Sequence, residues 1–363
     1  MKQKSEYRII IAGGGTGGHL FPGIAVAREI QSRHRNTEVL FVAGRKRMET
    51  GILSTYQFQT EFIDVKGLKG QGWKQGLQVL ARIPKSIMQS VSIIRRFSPS
   101  VVLGVGGYSS GPFCLTARGM GIPTAIHEQN SYPGLTNRML TRIVDRTFIS
   151  FETCEPYLKT KKKVLTGNPV REELIRENAN RPQNEDFSVL VVGGSQGARA
   201  INEAFVETLV QWKDAGKKIR VTHQTGQADY ERVQTDYTNK GLSGKVAPFI
   251  KAMAEAYGSA DMVVGRAGAT TIFELAALGK PSVLIPYPFA ANNHQETNAN
   301  ALFNTGGAEM IHQKDLNGES LSRVLMKYMN NRAALKKMGE RARRIYRPDA
   351  AKKIVDELEA IRL

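Results

Sequence analysis

A glycine-rich stretch near the amino terminus, GGGTGGHLFPG at residues 13–23, combines a flexible backbone with a titratable side chain. Gly13, Gly15 and Gly18 satisfy the pattern G-x-G-x-x-G, which is typical of loops that hold the diphosphate of a dinucleotide. His19 follows the last glycine directly, and imidazole titrates near neutral pH. A histidine at the start of a helix is better suited to proton transfer than to lying against pyrophosphate.

A dinucleotide-binding domain needs a second feature, an acidic residue about 20 residues after the glycine loop. The second apolar run ends in FVAGRKR, residues 41–47, which supplies Arg45 and no carboxylate. This argues against NAD. An NADP-dependent oxidoreductase remains as an alternative through Arg45.

Four glycine-rich turns follow apolar runs, at residues 13–18, 104–111, 193–197 and 265–271. A turn of this kind before a helix exposes backbone N–H groups and points the helix dipole at an anion. Small residues could instead serve only to make a tight turn. Four such turns in one chain favour phosphate binding, because ligands of α/β sheets bind at the carboxyl ends of the strands.

Apolar runs alternate with amphipathic segments, which predicts parallel sheets with helices on both faces, a doubly wound α/β class. The runs are 8–12, 38–43, 100–105, 123–127, 188–193, 261–265 and 281–286. The strand, glycine turn and helix pattern of 9–19 restarts at 189–199, and the polar segment 160–187 is typical of a linker. We expect two similar domains facing each other across a cleft, 1–165 and 166–345. A final helix at 346–363 either stands alone or packs back on the first domain.

The charge is strongly basic, with 51 Lys and Arg against 33 Asp and Glu, a net of +18 over 363 residues. Such a charge suits a nucleic acid or an anionic membrane surface. No nucleic-acid module appears and aromatic residues make up only 7% of the chain, so we expect no nucleic-acid partner. The two cysteines, Cys114 and Cys154, lack metal-ligand spacing and indicate reduced thiols in a cytosolic protein. With no signal peptide and no run of 18 apolar residues, the chain is expected to lie on a membrane rather than in it.

Residues 65–127 contain no Asp or Glu but eight Lys or Arg. An apolar stripe in this stretch predicts a buried helix face at Trp73, Leu77, Leu80, Ile87, Val91 and Ile94. Pro84 is expected to split the run, so that residues 69–85 stand apart. We predict that these residues lie on the cytoplasmic leaflet, with Trp73 and Ile83 dipping in and the lysines facing anionic lipid.

Motifs along nearly the whole chain resemble the MurG family, the peptidoglycan transferases of glycosyltransferase family 28. They are GGGTGGHLFPGIAVA, GVGGYSSGP, HEQN, GLTNR, TGNPVR, GGSQGA and GATTIFELAALGKPSVLIP followed by NHQETNA. The resemblance implies a GT-B fold, two Rossmann-like domains with a UDP-sugar in the second. It also implies transfer of GlcNAc from UDP-GlcNAc to the 4-hydroxyl of MurNAc in undecaprenyl-diphosphate-MurNAc-pentapeptide (lipid I), with inversion, to give lipid II.

The resemblance also implies site residues. Those for UDP-GlcNAc are Thr16, Gly17, Gly18, Asn130, Arg171, Ser195, Ile250, Ala269, Thr270, Thr271, Ile272, Phe273, Glu274 and Gln295. Those for the acceptor diphosphate are Gly14, Gly15, Gly106, Gly107, Tyr108 and Ser109. Glu274 would take the ribose hydroxyls and the Ile250 backbone would frame the uracil. The spacing of Glu274 from Thr271 also fits a helix cap, which is the alternative.

The reaction needs one base to accept the proton of the attacking 4-hydroxyl. His19 is the first choice; Glu128 is the second, or it orients the imidazole or stabilises its charge. No D-x-D motif occurs, so no metal and no cofactor are expected, and the helix start at 268–272 would stabilise the leaving UDP. His294 and His312 are expected to be solvated, because the histidines lack metal-ligand spacing.

The implied partners are UDP-GlcNAc, lipid I, an anionic membrane surface on the cytoplasmic face of a bacterial cell membrane, and other proteins of cell-wall synthesis. A GT-B transferase for a different acceptor is the enzyme alternative. The HEQN and GVGGYSSGP motifs argue against it, because both belong to the lipid I side of the family pattern.

Overall fold

The structure, a computed structural model, describes residues 7–15, 17–44, 47–65, 73–178, 186–194 and 197–362. The chain forms two compact units. Unit 1 comprises Met1–Arg171 and Arg347–Leu363, and unit 2 comprises Glu172–Tyr346. Each unit is built on one parallel sheet with helices on both faces, which confirms the expected doubly wound α/β class.

The sheet of unit 1 has seven strands in the order β3-β2-β1-β4-β5-β6-β7. They are β1 Tyr7–Ala12, β2 Thr37–Gly44, β3 Gln59–Ile63, β4 Val101–Gly104, β5 Thr124–Glu128, β6 Arg146–Ile149 and β7 Lys163–Leu165. The helices are α1 Gly17–Arg33, α2 Arg47–Thr55, α3 Trp73–Phe97, α4 Ser110–Gly119, α5 Leu135–Leu140 and, from the end of the chain, α14 Ala350–Ile361. The strand order reverses between β1 and β4, where α/β ligands usually bind.

Strand β1 shows why the unit has two helical layers. Its side chains alternate, and all but one are buried, so both faces of the strand need cover. Ile9 and Ile11 belong to one core together with Leu358 of α14, whereas Ile10 belongs to a second core with Ile94 of α3. Helix α14 therefore packs on unit 1, next to α1.

The segment 160–187, expected to be a linker, is partly structured. It contributes β7 to the sheet of unit 1 and helix α6, Glu172–Asn178, to unit 2. Strand β7 lies at the edge of the sheet and is only half buried, so its lysine-rich flank is tolerated. The boundary between the two units, at Arg171 and Glu172, falls inside this segment, but its polar first part belongs to an edge strand.

Helix α3 corrects a second expectation, since it runs unbroken from Trp73 to Phe97 with Pro84 inside it. Its buried face differs in part from the predicted stripe: Ile94 is buried as expected, whereas the side chains of Trp73, Leu77 and Leu80 lie outside the described residues. Ser86 and Ser90 are buried, and each hydroxyl donates to a carbonyl one turn earlier, at 2.8 and 2.7 Å. Ile87 and Val91 are only half buried. Helix α3 packs against α4, and its buried serine hydroxyls are satisfied within the helix itself.

The sheet of unit 2 has six strands in the order β10-β9-β8-β11-β12-β13. They are β8 Ser188–Val192, β9 Arg220–Gln224, β10 Lys245–Ala247, β11 Met262–Gly265, β12 Ser282–Leu284 and β13 Glu309–Met310. The helices after α6 are α7 Arg199–Asp214, α8 Tyr230–Asn239, α9 Met253–Ser259, α10 Ala269–Leu278, α11 His294–Phe303, α12 Gly318–Met329 and α13 Arg332–Ala342. Its main core includes Phe205 and Trp212 of α7 against Val189 and Val191 of β8.

Five short 3₁₀ helices complete the secondary structure of the described residues: Glu152–Tyr157, Gln227–Asp229, Ala291–Asn293, Gln313–Asp315 and Arg343–Ile345. Across the part of the chain that the structure describes, every helix is too short or too polar to cross a bilayer.

Candidate active site

Two glycine-rich loops of unit 1 interlock at the carboxyl ends of the adjacent strands β1 and β4. The Gly14 N–H donates to the Gly106 carbonyl at 3.2 Å. Gly107 has φ +80°, and a Cβ there would lie 2.0 Å from the Gly14 carbonyl oxygen, so only glycine fits. The structure thus brings together Gly14, Gly15, Gly106 and Gly107, the residues expected at the acceptor diphosphate.

His19 lies in the first turn of α1, which begins at Gly17. Its ring packs on Gly106, where a Cβ would come within 2.8 Å of His19 Cδ2. The imidazole is half buried and so keeps access to solvent. A titratable ring therefore lies at the junction of the two loops, at the positive end of the α1 dipole. Gly17 and Gly18 form the start of the same helix, and Thr16 lies outside the described residues.

Ser109 precedes helix α4 and makes no side-chain cap to it. Its hydroxyl is buried and has no hydrogen-bond partner among the described residues. Tyr108, beside it, is exposed. A buried hydroxyl without a partner next to the Gly106–Gly107 turn suits an anionic ligand, which would supply the missing acceptor.

Glu128, at the end of β5, is 2% exposed and accepts four N–H hydrogen bonds. Oε1 accepts from the Asn130 backbone at 3.0 Å and from its side chain at 3.2 Å. Oε2 accepts from the Gly134 backbone at 3.0 Å and from Asn137 Nδ2 at 2.8 Å. Burial raises the pKa of Glu128, and the four hydrogen bonds oppose that rise. The carboxyl group therefore holds the Asn130 loop in place.

His127, next to Glu128, is fully buried and neutral. Gln129 Nε2 donates to His127 Nδ1 at 3.1 Å, so the proton of the ring is on Nε2. Nε2 then donates to Ser150 Oγ at 3.2 Å or to the Gly167 carbonyl at 3.3 Å. The pKa of His127 is lowered to about 4, mainly by burial and to a smaller extent by the nearby charge of His19.

Arg171, expected at the donor diphosphate, ends unit 1. Its guanidinium lies 3.9 Å from the centre of the Phe21 ring, and Nη1 donates to the Tyr56 hydroxyl at 3.4 Å. In the structure these contacts anchor Arg171 to α1 and to the residue that follows α2.

In unit 2, helix α10 begins at Ala269 after Gly268, so the expected helix start at 268–272 is present. Its first turn carries no charged residue. Ala269, Thr270, Ile272 and Phe273 are buried, and Thr271 is half buried. This is an uncharged helix N-terminus at the carboxyl end of β11, a suitable place for an anion.

The cap alternative for Glu274 is wrong, because Thr271 lies inside α10 and Gly268 occupies the cap position. Glu274 is buried instead, and Oε2 accepts from the Tyr257 hydroxyl at 3.1 Å. A buried carboxylate on the second turn, held by a tyrosine of α9, can accept hydrogen bonds from ligand hydroxyls.

Two further contacts in unit 2 hold backbone segments. Gln224 Oε1, at the end of β9, accepts from the Ile250 N–H at 3.2 Å. Gln295 Oε1 accepts from the Tyr287 N–H at 3.0 Å. Ser195 lies outside the described residues, between Gly194 and Gly197.

Sequence reasoning gave no role to Asn137, Gln129, Gln224 or Tyr257. A signal for Gln224 was present, because HQTG at 223–226 ends β9 as HEQN at 127–130 ends β5. No comparable signal marks Tyr257. His294 is half buried and bonds the Ala291 carbonyl, which differs from the expected solvated state, whereas the His312 side chain is 44% exposed. No group of three or more His, Cys, Asp or Glu that could hold a metal lies among the described residues.

Comparison with known proteins identifies the family. The glycosyltransferase family 28 N-terminal domain matches residues 9–149, and the family 28 C-terminal domain matches residues 188–355. The chain belongs to glycosyltransferase family 28. Within this family it is similar to transferases named UDP-N-acetylglucosamine–N-acetylmuramyl-(pentapeptide) pyrophosphoryl-undecaprenol N-acetylglucosamine transferase. That of Syntrophus aciditrophicus is 45% identical, and the match covers 98% of each chain. That of Geobacter sulfurreducens is 45% identical over 97% of this chain and 98% of the relative.

Solved structures agree. The crystal structure of Acinetobacter baumannii MurG matches with a TM-score of 0.75 and 32% identity, over 98% of this chain and 99% of that one. A UDP-GlcNAc 2-epimerase from Neisseria meningitidis matches with a TM-score of 0.68 at 16% identity, over 97% of this chain and all of that one, which shows the fold alone. The family 28 transferase therefore has the expected GT-B fold of two Rossmann-like units.

Proposed function

We propose that this family 28 transferase transfers GlcNAc from UDP-GlcNAc to the 4-hydroxyl of MurNAc in lipid I, giving lipid II for peptidoglycan synthesis. The observation that carries the proposal is the match, over 98% of the chain, to relatives named for this transfer. The site geometry supports it, because both substrates carry a diphosphate and both units have glycine turns at the carboxyl ends of their strands.

In the proposed reaction, the 4-hydroxyl oxygen of MurNAc attacks the anomeric carbon of GlcNAc. A new C–O bond forms as the bond to UDP breaks, and UDP leaves with the bonding electron pair. The configuration inverts, because nucleophile and leaving group occupy opposite faces of the sugar. His19 accepts the hydroxyl proton; its half-buried ring at the loop junction supports this role.

Glu128 is the weaker choice of base. Each carboxylate oxygen already accepts two N–H hydrogen bonds, so taking a proton would break at least one of them. We propose that Glu128 positions Asn130 instead, and that Asn130 contacts the transferred sugar.

For the donor, we propose that the start of α10 stabilises the diphosphate of UDP without a metal ion. Glu274 would accept hydrogen bonds from the ribose hydroxyls, and the Ile250 backbone, held by Gln224, would frame the uracil. Gln295 and Ser195 would contact the sugar and the diphosphate. Arg171 is the further candidate for the diphosphate; in the structure its guanidinium contacts Phe21.

The decisive experiment is transfer of radiolabel from UDP-GlcNAc to a lipid I analogue in excess EDTA. We expect product formation at the same rate with and without EDTA. Loss of turnover in EDTA that Mg²⁺ restores would contradict the metal-free mechanism. Transfer to other glycolipids but not to the lipid I analogue would contradict the acceptor.

We further propose that unit 1 lies on the cytoplasmic face of an anionic membrane. Helix α3 packs on α4, and α4 packs on α5. Among their described side chains, these three helices expose five large apolar ones, Ile83, Met88, Leu115, Leu135 and Met139. We call these five the apolar surface. Met88 is the most exposed, at 72%, and Lys85 lies beside it on α3. Residues 69–72 and the side chain of Trp73, part of the original prediction, lie outside the described parts of the chain.

Co-sedimentation with phosphatidylglycerol vesicles at low salt tests the apolar surface. Replacing both Ile83 and Met88 by Glu should weaken binding, since two charges would enter the interface. Met326→Glu on α12 of unit 2 replaces an exposed methionine outside the apolar surface and serves as the control. Equal binding of the double variant and the control would exclude α3 as the membrane face. We also expect contacts with other proteins of cell-wall synthesis, without a surface to assign to them.

A further inference from the structure

A surface pocket of about 260 Å³ lies in unit 1, away from the glycine loops. Its lining includes Pro123, Asp145 and Lys162, which directly precede strands β5, β6 and β7. The pocket therefore lies at the amino ends of the parallel strands. The candidate active site follows the carboxyl ends of β1, β4 and β5. The two sites therefore lie at opposite ends of the strands of one sheet.

Three positively charged side chains, Arg118, Arg146 and Lys162, lie in this pocket. Each donates a hydrogen bond to a backbone carbonyl of the same short segment. Arg118 Nε donates to the Ile143 carbonyl at 2.9 Å, and Arg146 Nη1 donates to the Asp145 carbonyl at 3.0 Å. Between these two acceptors, the Val144 carbonyl accepts from Lys162 Nζ at 3.5 Å. Three successive carbonyls thus orient three cations drawn from α4, β6 and the start of β7.

The carbonyls orient the cations without neutralising them, so positive charge remains in the pocket. Among the described residues that line the pocket, Asp145 is the one acid. Its Oδ2 accepts from the Thr124 N–H at 3.0 Å, and its Oδ1 is 3.6 Å from Arg118 Nη2. Arg146 is paired with Glu357 at 2.7 Å. Among the described residues, Arg118 Nη1 and Arg146 Nη2 have no hydrogen-bond partner, which leaves two guanidinium donors for a ligand.

We propose that this pocket binds a phosphate-bearing anion, a phosphate monoester or diester. Two guanidinium groups and an ammonium group in fixed positions match the oxygens of phosphate, which arginine binds with paired N–H donors. The pocket is smaller than the roughly 300–1,000 Å³ of most small-molecule sites, so it fits the phosphate and a short substituent.

The same phosphate chemistry can come from a phospholipid headgroup or from a soluble phosphate ester. Two exposed apolar side chains, Met120 and Ile143, adjoin the lining residues Gly121 and Arg118. Acyl chains would lie on such a rim if the phosphate belonged to a lipid. The proposal does not depend on the proposed transferase activity, since the pocket uses none of the active-site residues.

The test uses the full chain saturated with UDP-GlcNAc, so that the donor site is filled. The pocket variant combines Arg118→Gln and Lys162→Gln. A control variant combines Lys159→Gln and Lys161→Gln, which removes the same charge from exposed positions just before Lys162. Calorimetric titration with sn-glycerol 3-phosphate should show binding to wild type and control, and about tenfold weaker binding per removed cation in the pocket variant. The single change Lys162→Gln, at an exposed side chain, should give the intermediate value without affecting folding.

Vesicle co-sedimentation separates the two sources. If the phosphate belongs to a lipid, the pocket variant should bind phosphatidylglycerol vesicles about tenfold more weakly than the control, with no difference on phosphatidylcholine. If it belongs to a soluble ester, vesicle binding should be equal while the glycerol phosphate affinities differ. Equal binding of every probe by pocket variant and control would overturn the proposal. Transfer to a water-soluble acceptor analogue should stay near the wild-type rate in both variants, so failure of the pocket and failure of the transferase proposal are distinguishable.

Discussion

The two units share an architecture but present different chemistry at the carboxyl ends of their strands. In unit 1, the helix after the first glycine loop carries His19 in its first turn. In unit 2, the first turn of α10 has no charged residue. In the proposed function, the same strand, turn and helix pattern would therefore supply a proton acceptor in one unit and a neutral anion site in the other. This division matches what a group transfer between two diphosphate-bearing substrates requires.

The two units also differ in the hydrogen-bond partners of their buried carboxylates, Glu128 and Glu274. Glu128 of unit 1 accepts four N–H hydrogen bonds, three from the loop after β5 and one from Asn137 of α5, so both of its oxygens are satisfied. Glu274 of unit 2 accepts from the Tyr257 hydroxyl on a neighbouring helix. The four hydrogen bonds on Glu128 fix the Asn130 turn, whereas Glu274 is joined to α9 through Tyr257 and is the residue proposed for the ribose of UDP. Each of the following predictions tests one side of this difference.

The largest effect is expected from His19→Ala. Removing a general base should lower kcat by roughly 10²–10⁴-fold and leave the affinity for UDP-GlcNAc nearly unchanged. Steady-state kinetics with a lipid I analogue and a donor-binding titration measure the two quantities. His312→Ala in unit 2 removes an accessible histidine and should change neither. A near-normal kcat in His19→Ala would mean that the base is elsewhere.

Glu128→Gln should lower kcat by roughly 10²-fold, because a shift of about 1 Å in a positioning loop can cost that much. The new amide would place an N–H against the Gly134 N–H, which now donates to Oε2. Asn137→Ala removes one of the four donors and should show a smaller loss of the same kind.

The pH dependence of kcat distinguishes positioning from catalysis by Glu128. If Glu128 only positions Asn130, Glu128→Gln should keep the shape of the wild-type pH profile at a lower rate. If Glu128 is the base, the variant should lose the ionisation that limits the wild-type rate at low pH. That second outcome would remove the contrast between the two carboxylates.

Glu274→Ala should act on binding rather than on proton transfer. Loss of hydrogen bonds between the ribose hydroxyls and a buried carboxylate should weaken UDP affinity about tenfold, with a smaller effect on kcat once the donor is saturating. Tyr257→Phe removes the hydroxyl that holds Glu274 and should weaken UDP less. Unchanged UDP affinity in Glu274→Ala would show that the carboxylate serves the fold of α10 alone.

The sequence predicts the sheets well where strands are buried on both faces. Strands such as β1 and β8 consist of apolar runs that can lie only inside a doubly covered sheet. It fails at β7, whose edge position permits lysines, and in α3, where Ser86 and Ser90 occupy the buried face. In both cases close packing or edge exposure, rather than hydropathy, decides which residue is tolerated.

The candidate site also has parts that the sequence predicts and parts that it does not. The glycine loops and His19 are predictable, because they are contiguous in sequence and their chemistry depends on backbone N–H groups and one ring. The surroundings of Glu128 are not, since two of its donors come from Gly134 and Asn137, whose approach depends on the turn between them. The Tyr257 partner of Glu274 comes from a separate helix, and only the packing of α9 near α10 brings the two together.

The smallest effect is expected from a buried histidine. Each unit has one, His127 near the end of β5 and His223 near the end of β9, and the prediction concerns His223. His223 donates from Nε2 to Asn202 Oδ1 at 3.0 Å and accepts from the Tyr237 hydroxyl at 3.1 Å. Burial lowers the pKa of His223 to about 3. The unfolded chain binds this proton near pH 6.5, so the stabilisation is complete above pH 6.5 and is lost as the pH falls towards 3. In unit 1, Glu128 opposes such an acid-induced loss of stability, because its raised pKa favours the folded state as the pH falls.

Tryptophan fluorescence can report this loss for unit 2 alone. The chain has two tryptophans, and Trp212 is buried in the core of unit 2, so Trp73→Phe leaves a reporter of that unit. In this background the free energy of unfolding in urea should fall by roughly 1 kcal/mol between pH 6.5 and pH 5.5. Adding His223→Gln should abolish most of that fall, whereas adding His312→Gln, at an accessible position, should not. The depressed pKa of Asp229, which Arg232 causes by hydrogen bonding, acts only below this range. An equal fall in both variants would show that the buried histidine of unit 2 does not control its acid sensitivity.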